Sequence, residues 1–187
     1  MNMTIRTLAV IAISLIIGTS CATVEDNSLK ADGFGPVRLG VVIKNLPKSS
    51  EGLYDQIEPE RIEAFDYEGT EYHLVFNGER IATLIENEGK IHAIEILSDK
   101  IQTKDGFGLN KTVSQLLAAG AESYCDNYGF EGLLFRGMLF SYMELTPSGQ
   151  KKADGAYLDG TDPLFTESDF KPGTHPTQIT LAKWYAE

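Results

Sequence analysis

Three histidines, two cysteines and one acid-rich stretch hold most of the chemistry this chain could perform. His73 stands on the Glu71/Val75 face of one strand-like run and His92 on the Ile94/Ile96 face of another. Zinc needs three or four convergent ligands, commonly with a local pair such as His-x-x-x-His or Cys-x-x-Cys. Neither pattern occurs, so both histidines read as solvated or hydrogen-bonded strand residues. Asp154, Asp159 and Asp162, with Glu167 and Asp169 close behind, suggest calcium, which draws many oxygens from flexible loops. EF-hand spacing is missing, and Asp159-Gly160-Thr161-Asp162 is equally a solvated turn. No Gly-x-Ser-x-Gly is present. Cys125 precedes Asp126, a neighbour that raises a thiol's pKa and does not activate it, so Cys125 reads as a packing residue. Gly33-Phe34-Gly35 and Gly106-Phe107-Gly108 lack the Lys-Ser/Thr and the long helix of a phosphate loop. A glycosidase-like carboxylate pair needs only two acids facing each other, and too many candidates exist to name one. No catalytic residue or cofactor is therefore assigned, and the chain is not expected to be an enzyme.

Aromatics offer the other route to function. Tyr124, Tyr128, Phe130 and Phe135 cluster in sequence and form the candidate partner-binding patch, since Tyr and Trp are enriched where proteins grip one another; core packing is the competing role for each.

Residues must also be delivered somewhere. Met1 to Arg6 is polar with one positive charge, Leu8 to Ile17 is apolar, and Gly18-Thr19-Ser20-Cys21 follows. A spanning helix needs about 20 apolar residues, roughly twice this run, so residues 1–20 read as a secretory signal. Cys21 after small residues resembles a lipobox, in which the cysteine is acylated and becomes the first mature residue. More than one acyl chain makes such an anchor stable. The expected location is thus the cell envelope, lipid-anchored, at the outer membrane and facing the periplasm or the surface. Residues 21–31, polar and without periodicity, read as a tether.

Residues 32–187 carry the body. With 42% hydrophobic and 23% charged residues the chain is globular and not disordered. Its formal charge is −11, becoming −12 once Arg6 is removed, and no basic cluster offsets it, so no nucleic acid is expected as a partner. Strand-length runs at 61–67, 71–76, 80–86 and 90–97, with Asn77-Gly78 and Glu88-Gly89 between the later ones, predict an antiparallel meander. Thr112 to Ala119, capped by Thr112 and followed by Gly120, is the clearest helix. Residues 146–176, rich in Pro, Gly and acids, read as a long loop, and 178–185 as the closing strand. A 70-residue shift superposes Leu39 on Leu109, Leu46 on Leu116, Tyr54 on Tyr124, Phe65 on Phe135 and Tyr72 on Tyr142. The expectation is an α+β fold of antiparallel sheet with a few short helices on one side. It is built as two tandem pseudo-repeats, about 32–101 and 102–187.

Gly33-Phe34-Gly35-Pro36, Ile94 through Ser98-Asp99-Lys100-Ile101-Gln102-Thr103, Gly106-Phe107-Gly108-Leu109 and the terminal Lys183-Trp184 resemble the small RpoE-regulated lipoprotein family of Gram-negative bacteria. The resemblance covers most of the mature chain and implies a link to envelope stress, with no catalytic residues to transfer. Family members carry a second cysteine near the position of Cys125, which this chain lacks. More loosely, the duplicated layout is similar to beta-lactamase inhibitor proteins and BamE-type lipoproteins, which act by binding other proteins. The expected function is that of a non-enzymatic, lipid-anchored envelope protein that binds a protein partner or supports envelope integrity. The alternative is a small-ligand, glycan or Ca²⁺-binding module that uses 146–176.

Overall fold

The computed structural model describes residues 26–64, 67–126, 129–159 and 163–185; Cys21, Tyr128 and Asp162, and the side chain of Asp159, lie outside them. Strands β1 (Gly33–Phe34) and β2 (Val37–Arg38) form a small antiparallel ribbon. A 3-10 turn at Ile43–Asn45 leads into the main meander of β3 (Gln56–Ala64), β4 (Tyr67–Phe76), β5 (Glu79–Asn87) and β6 (Lys90–Ile96). Helix α1 (Val113–Ala118) precedes β7 (Glu122–Asp126), β8 (Gly129–Phe135) and β9 (Met138–Ser141). Helix α2 (Pro147–Asp159) and β10 (Gln178–Ala182) follow. Eight strands make one antiparallel sheet in the order β3-β4-β5-β6-β10-β9-β8-β7. The fold is therefore α+β and dominated by its sheet.

Local chemistry explains most boundaries. Asn77-Gly78, Glu88-Gly89 and Arg136-Gly137 each place two residues at positive φ (53° and 79°, 53° and 75°, 53° and 73°), the geometry of two-residue hairpins whose twist matches the strands. Thr112 caps α1 by accepting from the Gln115 backbone, while the Gln115 side chain reaches back to the Thr112 N–H, a complete capping box.

Four expectations need correction. The strand expected from Arg61 already begins at Gln56 as β3, because an edge strand with a neighbour on one side only tolerates Pro59. The segment just after Gly120, for which no strand is predicted, is strand β7, with Tyr124 paired to Gly132. Residues 147–159 are helix and not loop: Thr146 caps them through Oγ1, which accepts from the Gly149 N–H at 3.2 Å, and Pro147 fills the first helical position, where a missing N–H costs nothing. The tether ends before Ala31, since Leu29 is buried in the core and its N–H donates to the Gln102 carbonyl at 2.8 Å.

Helices and turns occupy both sides of the sheet and not one. The Ile43–Asn45 turn lies with Ile57 and Tyr72 around one hollow, and α2 lies over the opposite face of β8 and β9. The densest core belongs to the first face. Ile96, Ile179, Phe140 and Leu133 form a continuous row across β6, β10, β9 and β8, and each is fully buried. Among the described residues no helix is long and apolar enough to cross a membrane.

Candidate functional site

Side chains alternate across a strand, so the row adjacent to the core row faces the other way. That row runs His73, Thr83, Glu95, Thr180, Leu139 and Leu134 over six consecutive strands. Four of its six residues are polar, on the face opposite the densest core. Over β6, β10, β9 and β8 this face is the floor of a cavity of about 530 Å³. Glu95, Thr180, Gln178, Leu139 and Ser141 pave the floor; Phe130 and Glu131 of β8 form one wall. Gln150 and Ala153 of α2 form the roof, and Tyr142, Met143, Leu145 and Tyr185 ring the opening. Ligand sites of this kind are concave and largely apolar, with a few convergent polar groups.

Both acids of the cavity are displaced from ordinary behaviour. Burial pushes the Glu95 carboxyl up, the charge of Glu71 adds to this, and a hydrogen bond from Gln178 with the charge of His73 works against it. Burial likewise raises Glu131, which stands exposed at the rim, and the charge of Asp126 and a hydrogen bond with it push further in the same direction. The Tyr185 phenol is raised, chiefly by burial. A carboxyl raised in the fold contributes stability that is complete below its unfolded value of about 4.5 and is lost as pH climbs through the folded value. Glu95→Gln should therefore gain stability at pH 7 and gain little at pH 4. Urea midpoints of the two proteins at both pH values check this; an equal difference at both would refute it.

Beyond Glu95 the polar row continues to a buried histidine bonded to buried Thr83 and exposed Glu60. The Nε2 of His73, a buried residue, lies 2.6 Å from Glu60 Oε2 and its Nδ1 3.2 Å from Thr83 Oγ1, while Arg80 donates to the same Glu60 oxygen at 3.3 Å. The bond to His73 is the largest influence holding the Glu60 carboxyl below its usual range. His73 is thus a hydrogen-bonded strand residue, as expected from its face. His92 is exposed and its ring lies 5.2 Å from that of Trp184.

Among its described residues the acid-rich stretch does not assemble a cation cage. Asp154 is exposed on α2 and accepts from Gln150 at 2.8 Å. Asp169, the buried acid of this stretch, is held by Lys152 at 2.6 Å and by the Thr166 N–H at 2.8 Å, with Lys152 the chief cause of its lowered pKa. No group of three or more His, Cys, Asp or Glu among the described residues could hold a metal.

The aromatic patch is divided by the sheet. Phe135 is buried beside Phe107 and Phe140 in the core, which removes it from any partner contact. Phe130 stacks on Phe165 at 4.0 Å between centroids and lines the cavity, and Tyr124 meets the edge of Tyr185. Cys125 packs half-buried against the core. Composition and motif searches pass over Glu95, Glu131 and Ser141. One signal was present for Glu95, the sole charge between Ile94 and Ile96 in a run that is otherwise apolar after His92.

No family model, no curated protein and no solved structure matches this chain.

Proposed function

We propose that this protein is a lipid-anchored component of the bacterial cell envelope, held through Cys21, that works by binding a small ligand and not by catalysis. The observation that carries this reading is the cavity of about 530 Å³ between the sheet and residues 146–176, with polar groups from four strands converging on it. It keeps the 146–176 segment as the binding element, now as a helical roof in place of a flexible loop. Catalysis by the two glutamates is disfavoured because acid and base partners need environments that push their pKa values apart, and here both are pushed upward. The mirrored strand order, β3 to β6 answered by β7 to β10 about the centre of the sheet, supports two pseudo-repeats. The 70-residue register lays β3 over β8 and β4 over β9, one strand out of step with that mirrored pairing. The envelope assignment rests on the leader, the lipobox-like Cys21 and the resemblance to the RpoE-regulated lipoprotein family.

A second reading, an envelope protein as partner, is favoured by the exposure of Leu164 and Trp184, 73% and 50%. One preparation separates the two. Full-length protein extracted from its native envelope in mild detergent is scanned thermally against neutral sugars, amino acids and amines, and its intact mass is measured. A rise in Tm with one class of compound, together with acyl mass on Cys21, is the expected result. No shift with any class would remove the small-ligand reading, and a species that retains Met1 without added mass would remove the anchor.

A further inference from the structure

We propose that one end of the sheet lies against the bilayer, with Lys30, Lys104, Lys111 and Arg136 on the phosphates of anionic headgroups and Trp184 at the water–lipid boundary. The inference rests on the lipid-anchor reading above and names the surface that the anchor brings to the membrane. Its first support is reach. Asp26 is five residues beyond Cys21, so the chain between them spans at most about 18 Å. The body is larger than that, since β4 alone, with 10 residues, runs about 33 Å. Leu29, buried and with its N–H on the Gln102 carbonyl, fixes where the chain joins the body. Asp26, Lys30, Lys104 and Arg136 surround one hollow of about 370 Å³ there, together with Met138, the first residue of β9. An acyl group on Cys21 therefore keeps this end beside the headgroups.

The second support is charge. Lys30 and Lys104 each approach Asp26 Oδ2 at 3.1 Å, and Arg136 donates to Asp105 at 2.8 Å. Lys111 and Arg136 stand 5.5 and 5.4 Å from the centre of the Phe107 ring. Four cations thus meet two carboxylates on a chain whose net charge is −11. Among the described residues the other charges of this end nearly cancel, Arg38, Lys90 and Lys183 against Asp32, Glu86, Glu88 and Glu122. The acidic excess lies elsewhere, so an anionic surface repels every other approach more. The ion pairs do not tie the cations up. The side chains of Lys30, Lys104 and Arg136 are 47%, 76% and 53% exposed, and pairs so exposed exchange partners at little cost. Basic groups beside a lipid anchor add to its hold on an anionic bilayer.

The third support is Trp184, which is independent of the charges. Ala182 pairs with Ala93 of β6, and the β9–β10 register brings it beside the Arg136-Gly137 turn. Lys183 and Trp184 follow directly, so they leave the sheet at the same end. Trp184 remains 50% exposed, its ring 5.2 Å from that of His92 and 5.6 Å from that of Tyr185. An indole has an apolar body and one polar N–H, the combination that places tryptophan at membrane–water boundaries.

Trp184 is the chain's only tryptophan, so intrinsic fluorescence reads this end alone. Acylated protein is reconstituted into vesicles of phosphatidylcholine with or without phosphatidylglycerol, recovered by flotation, and quenched with acrylamide. Phosphatidylglycerol should lower the quenching slope roughly threefold or more. Lys104→Glu combined with Arg136→Glu should abolish that protection while the protein still floats. Lys48→Glu combined with Lys151→Glu, the same charge change at exposed positions outside this end, should retain it. Circular dichroism confirms that both variants are folded. Protein that does not float would remove the anchor and this inference with it. Flotation with an unprotected Trp184 would overturn the docked face and leave the anchor standing. Equal protection in the two variants would overturn the role of the cations. Shielding of Trp184 in native envelope membranes and not in lipid alone would assign the face to a protein partner and overturn the bilayer.

Discussion

Ile179→Asp should leave the protein unfolded at every temperature, while Ile179→Ala should fold and lose about 2–5 kcal/mol in urea titration. Ile179 is fully buried in β10 and pairs with Ile96 on one side and Phe140 on the other. A lone carboxylate placed there has no counter-ion, and its desolvation cost compares with the whole stability of an ordinary domain, about 5–15 kcal/mol. Position makes the effect larger. β10 is the last strand in the chain, yet it is a central strand of the sheet, and it alone joins the β3–β6 half to the β7–β9 half. Without it neither half keeps a complete core. Loss of the far-ultraviolet strand signal in Ile179→Asp is the expected reading; a cooperative melt near that of the parent would contradict it.

Gly149→Ala should lower Tm and remove ligand uptake by the cavity, although alanine is the better helix former. A Cβ built at Gly149 would lie 2.0 Å from the carbonyl oxygen of Asp169 and 2.9 Å from its carbon, and a backbone cannot rotate aside as a side chain does. Overpacking of this kind costs about 1–3 kcal/mol, and each kcal/mol lowers Tm by about 2–4 °C in a protein of this size. The helix that must shift is the roof bearing Gln150 and Ala153. Gly155→Ala is the matched control. Nothing lies within 4 Å of its Cβ position, so the exchange should stabilise by about 0.5–1 kcal/mol. If Gly149→Ala also stabilises, the close approach of α2 to Asp169 is wrong.

Hairpins and caps were legible in the sequence because their signals are local. Asn77-Gly78 and Glu88-Gly89 state their backbone geometry in two letters, and Thr112 with Gln115 states the start of α1. Helix α2 was not legible. Gly149 and Gly155 weaken its propensity, and its reason to form is tertiary: the bare backbone at Gly149 lets it seat on Asp169, and Lys152 closes on the same residue. The start of β3 at Gln56 was not legible, because the sequence does not say that β3 is an edge strand, where Pro59 is tolerated. The site was hidden for a similar reason. Glu95 and Glu131 are 36 residues apart in the chain. They share a cavity only because β10 enters between β6 and β9, and no motif records that insertion.

The position of Pro59 has a consequence for how copies of the protein meet. An open sheet invites another chain to add a strand along its rim, the step that starts aggregation. Here the outer rim of β3 sets Glu58, Glu60, Arg61 and Glu63 around a proline that has no amide hydrogen to lend, and β7 begins at Glu122 and ends at Asp126. Neighbouring molecules crowded together would bring like charge to like charge before any ladder could form, so both rims oppose edge-to-edge pairing.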